Sequence, residues 1–194
     1  MFFLNQPDEI FIRGFLAQQR GQPFSYAEVG ASRGVAPSGY NVDHNRILLG
    51  EGYETYLRAV EGVKSWKMFD FGWLNLCWTD TPISEGATVG ILVRHFGFWS
   101  LNACRIVYLI ESTGEVERYG FAYGTLPDHV ERGEERFMVE YHRTDGKVWY
   151  DLYAFSKPRH ALAQAGYPVS RLLQKRFARE SKQAMVKAVN RERI

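Results

Sequence analysis

Apolar positions along the chain follow a helical period near both ends and a two-residue period between. From Asn5 to Gln19, Ile10, Phe11, Phe15 and Leu16 predict the apolar face of a short helix. Asn5 is placed to cap it, Pro7 suits the first turn, and Asp8 and Glu9 favour the positive end of its dipole. Residues 21–39 are rich in glycine, proline and serine and read as loop. A strand over Asn41–Leu49 follows, then a helix from about Tyr53 to Trp66 carrying Tyr56, Leu57, Val60 and Val63 at helical spacing. The period then becomes two. Phe69–Trp78, Ala87–Phe96, Ser100–Glu111, Val116–Tyr123, Glu135–Arg143 and Val148–Phe155 are predicted strands, separated by turn signals such as Thr144-Asp145-Gly146. Val89, Ile91 and Val93 alternate with Thr88, Gly90 and Arg94, and Phe137, Val139 and Tyr141 with Arg136, Glu140 and His142, as half-buried antiparallel strands do.

After Phe155 a short turn of helix is expected to end at Ala165, broken by Gly166 and Pro168. A long amphipathic helix then runs from Pro168 to about Arg191, with Val169, Leu172, Leu173, Phe177, Ala184, Met185, Ala188 and Val189 as its stripe. The fold class is therefore α+β: a curled antiparallel sheet of about seven strands gripping a long C-terminal helix. Short connections keep consecutive strands together, and twist curls them. The concave side needs covering, and this helix is long enough to do so. If it leaves part of the concavity empty, a cavity remains, expected to be roughly 300 Å³ or more. The expected organisation is one domain over residues 1–194, with 1–40 as a helix-and-loop extension and 41–194 as the core.

Composition supports a sheet with an apolar interior. The chain carries 13 Phe, 11 Tyr and 5 Trp, residues that favour strands and line pockets. Its net charge of +2 is too mild to imply nucleic acid, so no DNA partner is expected. Cys77 and Cys104 lie in apolar strand-like runs and read as buried reduced thiols. The first residues lack the pattern of a secretory leader and no apolar run reaches membrane-spanning length, so a cytoplasmic, soluble protein is the expectation.

Three stretches carry a resemblance. They are Asp43-His44-Asn45-Arg46-Ile47-Leu48-Leu49-Gly50 with Gly52 and Trp66-Lys67; Tyr123-Gly124-Thr125-Leu126-Pro127-Asp128-His129 continuing to Gly133-Glu134-Glu135-Arg136-Phe137; and Val148-Trp149-Tyr150 through Ala154-Phe155-Ser156-Lys157-Pro158 to Gly166-Tyr167-Pro168 and Gln174. In these the chain resembles uncharacterised protein family 0548, found in bacteria and plants, over about residues 24 to 189. The element order resembles the START-like helix-grip (SRPBCC) superfamily, whose members hold apolar ligands between sheet and helix. The resemblance implies the fold and no particular reaction.

Candidate chemistry concentrates in few places. His129, Glu131, Glu134 and Glu135 fall within seven residues, in a predicted loop. One reading gives them acid–base or ligand contacts; the other has Gly124, Pro127 and Gly133 shape a turn whose acids pair with Arg132 and Arg136 in water. No second histidine stands at ligand spacing, so no metal is expected, and no nucleotide or nucleophile motif appears. No cofactor is expected. His44 and Arg46 share one face of the first strand, opposite Asp43 and Asn45; on a concave face Arg46 can hold an anionic head group, on an outer face it is solvated. On the last strand Trp149, Asp151, Tyr153 and Phe155 alternate with Tyr150, Leu152 and Ala154, and one set must face the helix. The C-terminal helix carries eight basic residues against Glu180 and Glu192, either a solvated face or a surface for an anionic partner.

The ligand-binding candidates are Arg46, Tyr123, His129, Trp149, Tyr153 and Phe177, around an apolar or amphipathic small molecule. His129 and His44 are the catalytic candidates if the scaffold is an enzyme. The third option is an interaction module using the basic helix. Oligomeric state is left open.

Overall fold

The computed structural model describes residues 1–159 and 167–190. In chain order the elements are β1 (Phe2–Phe3), α1 (Glu9–Gln19), β2 (Asn41–Glu51), α2 (Tyr53–Lys64), β3 (Leu74–Cys77), β4 (Thr88–Arg94), β5 (Trp99–Ser112), β6 (Val116–Thr125), β7 (Glu131–His142), β8 (Lys147–Pro158) and α3 (Tyr167–Asn190). Seven strands form one antiparallel sheet in the order β2-β8-β7-β6-β5-β4-β3, and the two-residue β1 pairs with β5. The predicted class is the observed one: an α+β helix-grip fold in which the curled sheet holds α3.

Short turns make β4 to β8 sequential neighbours, whereas β2 closes the far edge by pairing with β8. The concave side is filled by α2, α3 and a turn of 3₁₀ helix at Lys67–Phe69. Here Ala59, Val63, Trp66 and Met68 meet Phe121, Phe137, Tyr150 and Met185 in the main core.

A second core lies on the back of the sheet. Ile12, Phe15 and Leu16 of α1 cover Leu92, Leu101 and Ala103. The expected half-buried β4 is therefore buried on both faces from Thr88 to Leu92. Gly90 keeps α1 close: a methyl group there would lie 3.3 Å from a Leu16 methyl.

Several boundaries differ from expectation for identifiable reasons. Asp8, not Asn5, caps α1, accepting from Phe11 N–H at 2.8 Å. Its buried face holds Ile12 and Gln19 with Phe15 and Leu16, while Ile10 is 83% exposed. The Phe69–Trp78 strand shortens to β3 because residues 67–69 turn as 3₁₀ helix. The strand expected to begin at Glu135 begins at Glu131, since Glu131–Glu134 pair with Pro158–Phe155 of β8. The short helical turn expected to end at Ala165 falls outside the described residues. Along α3, Val169 and Leu172 are 62% and 72% exposed; the buried positions are Ala178, Ser181, Met185 and Val189. The two cysteines are buried free thiols. Among the described residues, no helix is long and apolar enough to cross a membrane.

Candidate functional site

Residues paired across antiparallel strands share a face, so the concave side reads as successive rungs. One rung is Ile47, Tyr150, Val139 and Tyr119, and the next is Asn45, Leu152, Phe137 and Phe121. These bulky side chains fill the space under α3. Tyr150 Oη meets Ser181 Oγ at 2.9 Å, and the Phe137 ring lies 5.2 Å from Phe121 and 5.5 Å from Phe69. The following rung is Asp43, Ala154, Glu135 and Tyr123, and beyond it come Ser156 and Gly133. Side-chain volume falls at Ala154 and Gly133, and there the core becomes hollow.

The hollow is a partly open cavity of about 210 Å³, smaller than the 300 Å³ expected. Its apolar wall includes Phe69, Trp73, Leu74, Ile91, Leu152 and Phe177. Its polar wall includes Asn102, Tyr123, His129, Glu131 and Glu135, with Asp43 at β2 and Ser170 and Gln174 at the start of α3. Here α3 turns polar side chains inward, which is why Val169 and Leu172 are left outside. Arg171 anchors this end through two hydrogen bonds to Asp43, at 2.5 and 2.7 Å.

Burial sets the chemistry of the polar wall. Tyr123 Oη donates to Glu135 Oε2 at 2.8 Å. Desolvation pushes the Glu135 carboxyl up to about 7; the Tyr123 hydrogen bond opposes this and the Asp43 charge adds to it. Desolvation, followed by the nearby Glu135, holds the Tyr123 phenol well above its ordinary range. Glu131 is also pushed up by burial, with the Ser170 hydroxyl and the charge of Arg171 acting the other way. Burial pulls His129 down to about 4, so it is neutral near pH 7. His129 Nδ1 lies 3.0 Å from Glu131 N and 3.1 Å from the Glu131 carbonyl oxygen, so this nitrogen is held by the backbone of β7. A neutral imidazole, a near-neutral carboxyl and a phenol thus share one desolvated space.

Of the residues singled out from the sequence, Tyr123, His129 and Phe177 line this cavity. Arg46, Trp149, Tyr153 and His44 do not. They lie on the outer face, because Asp43 and Asn45 turn inward to meet Arg171 and Lys182 of α3. His44 Nε2 lies 2.6 Å from Asp151 Oδ2, and the His44 ring packs edge-on to Tyr153. Arg46 pairs with Glu140 and lies over Trp149 at 4.5 Å. Arg46 therefore cannot orient a ligand in this cavity, and His44 cannot act there.

Nor is the segment before Phe137 an open loop. Glu134 points to the back of the sheet, where it accepts from Tyr26 Oη at 2.7 Å, Gly30 N at 2.7 Å, Ser32 N at 3.0 Å and the Ser32 hydroxyl. Gly124, expected in a turn, lies within β6 opposite Glu134; a methyl group there would collide with the Tyr26 ring. Gly133, expected to end the turn, lies inside β7 at φ +149°, and a side chain there would strike the Phe155 carbonyl. The basic helix is also partly spoken for. Arg171 and Lys182 reach β2, and Arg176 pairs with Glu180.

The inward direction of Glu135 was not singled out, although a signal existed. It shares the parity of Phe137 and Val139, the apolar positions of its own strand.

Comparisons with known proteins agree with this architecture. Residues 25–184 match the family described as Domain of unknown function (DUF1990). A UPF0548 protein of Dictyostelium discoideum is 38% identical over 207 residues, covering 97% of this chain and 96% of its own. One from Deinococcus radiodurans is 38% identical over 199 residues, covering 97% and 98%. One from Arabidopsis thaliana is 34% identical, covering 86% and 82%. Among solved structures, a hypothetical protein from Helicobacter pylori superposes with a TM-score of 0.52 at 12% identity, covering 77% of this chain and 88% of its own. That likeness concerns the fold. By the match over residues 25–184 and by these full-length relatives, the chain belongs to the DUF1990 family of UPF0548 proteins.

Proposed function

We propose that the protein binds a small apolar or amphipathic molecule between the concave face of the sheet and the first half of α3. The observation that carries this reading is the cavity of about 210 Å³, walled by aromatic and aliphatic side chains with polar groups gathered on one side. An apolar body gains about 25 cal/mol per Å² buried, and a few polar contacts fix its orientation. An apolar cavity of about 150 Å³ holds benzene, so this one suits a molecule of about eight to ten heavy atoms. Tyr123, His129 and Phe177 contact that molecule. Free thiols at Cys77 and Cys104 accord with a cytoplasmic setting.

A second reading, an enzyme on the same scaffold, is favoured by one contact. Glu135 and Tyr123 form an acid–base pair in the cavity, with neutral His129 as a neighbour.

Native mass spectrometry of protein purified from cells tests the binding reading. The expected result is a retained small molecule that is lost when Ala154→Phe fills the cavity. Wild type and filled variant carrying the same adduct, or no adduct on either, would remove it.

A further inference from the structure

Four acidic residues border the cavity: Asp43, Glu131, Glu134 and Glu135. Among the described residues no lysine or arginine lines it. Both lining histidines, His95 and His129, are pulled down by burial and carry no charge near pH 7. Asp43 is answered by Arg171, and Glu134 by Tyr26, Gly30 and Ser32. Among the described residues, Glu135 has the Tyr123 hydroxyl and no hydrogen-bonded cation. Glu131 is nine-tenths buried, and its Oε2 has no hydrogen-bond partner, although the Arg171 charge reaches the carboxyl. Ser170 and Arg171 answer part of the Glu131 carboxyl, but leaving one buried carboxylate oxygen without a donor is costly, so the cavity has room for a further hydrogen-bond donor.

We infer that the ligand is a primary or secondary amine on an aromatic or short apolar body, its ammonium held by Glu135 and drawn by Glu131. The inference rests on the binding reading above and names the chemical class of the ligand. The wall also carries aromatic rings, Phe69, Trp73, Tyr123 and Phe177, of the kind that attract a cation. An anion would meet Glu131 and Glu135, with no lysine or arginine among the described lining residues. A neutral ligand without a donor would leave the second Glu131 oxygen unpaired.

Ammonium binding draws the Glu135 carboxyl down from about 7, so at pH 6 it releases a proton as the amine enters. The groups facing Glu135 do not mask this. Tyr123, Tyr150 and Cys104 are held above their ordinary ranges by burial, His129 is pulled below its own, and Asp43 is paired with Arg171; Glu131, also pushed up by burial, adds a share of its own to the released proton.

The test uses the full chain and three probes of one shape: 2-phenylethylamine, 2-phenylethanol and phenylacetate, titrated calorimetrically at pH 8 and pH 6. The amine is expected to bind roughly ten- to a hundredfold more tightly than the alcohol at pH 8, with phenylacetate weakest. At pH 6 its apparent enthalpy is expected to depend on the buffer, reporting the released proton. Glu135→Gln is expected to bring the amine close to the alcohol's affinity and to remove most of the proton release. Glu131→Gln, kept as a second variant, is expected to narrow the preference by a smaller factor. Alcohol or phenylacetate binding at least as tightly as the amine overturns the amine assignment and leaves the binding reading standing. An amine preference untouched by both variants does the same. If no probe binds, the amine assignment falls, while the binding reading stands or falls by the retained adduct in native mass spectrometry.

Discussion

The two faces of β7 and β8 treat carboxylates in opposite ways. On the outer face, Asp151 meets Arg136 at 3.0 Å and His44 at 2.6 Å, and Glu140 meets Arg46 and Arg118. On the inner face, Glu135 of the same β7 meets one phenol. Burial is costly on both faces, yet Asp151 and Glu140 have arginines supplied by the fold, whereas Glu135 has the Tyr123 hydroxyl. The outer arrangement holds strands in register. The inner one carries a cost that folding does not require, and such sites are where function is sought first.

Three substitutions break or sharpen that contrast. The largest effect is expected for Asp151→Ala, which strands the partly buried Arg136 without its carboxylate and should destabilise by about 3 kcal/mol in urea unfolding. A cost below about 1 kcal/mol would show that the outer pairing is ornamental.

Glu135→Gln should act with the opposite sign. The folded carboxyl sits near 7 against about 4.5 in the unfolded chain, so between these values the folded state holds the extra proton. Wild-type stability from this group therefore falls as pH rises from about 4.5 to 7, and the glutamine variant escapes that loss. It should be more stable than wild type by on the order of 2 kcal/mol at pH 8 and no more stable at pH 4. A variant destabilised at pH 8 would place Glu135 with the outer carboxylates instead.

The smallest effect belongs to the acid between them. Tyr26→Phe removes one of the four donors to Glu134 and should cost about 1–2 kcal/mol, since the other three still hold the carboxylate. The same unfolding assay checks it.

Much of this fold is legible from periodicity, because strands and helices bury different spacings. The seven long strands and α3 follow from that pattern. Which face of a strand points inward is harder to read. On β2 both sets are polar, so nothing local separates His44 and Arg46 from Asp43 and Asn45. On β8 both sets are aromatic, so Trp149 and Tyr153 compete on equal terms with Tyr150 and Leu152. The decision is made by α3, through Arg171 on Asp43 and Ser181 on Tyr150, over separations of 128 and 31 residues. Glu131–Glu134 looks like loop because its composition is charged, and the strand emerges only from pairing with β8. The shifted stripe of α3 has a related cause: its first turns set Ser170 and Gln174 at the cavity beside Leu173 and Phe177, and Val169 and Leu172 are left outside.

The clasp on Glu134 also constrains the order of assembly. Tyr26, Gly30 and Ser32 are 108, 104 and 102 residues from the carboxylate that receives them. On a ribosome these residues emerge first, and their acceptor has not been synthesised until Glu134 follows. The segment must wait, unattached at that point, while the strands that position its anchor are made. A segment made before β7 is thus fastened only after it, so a nascent chain halted before β7 would lack this latch however well its other contacts had formed.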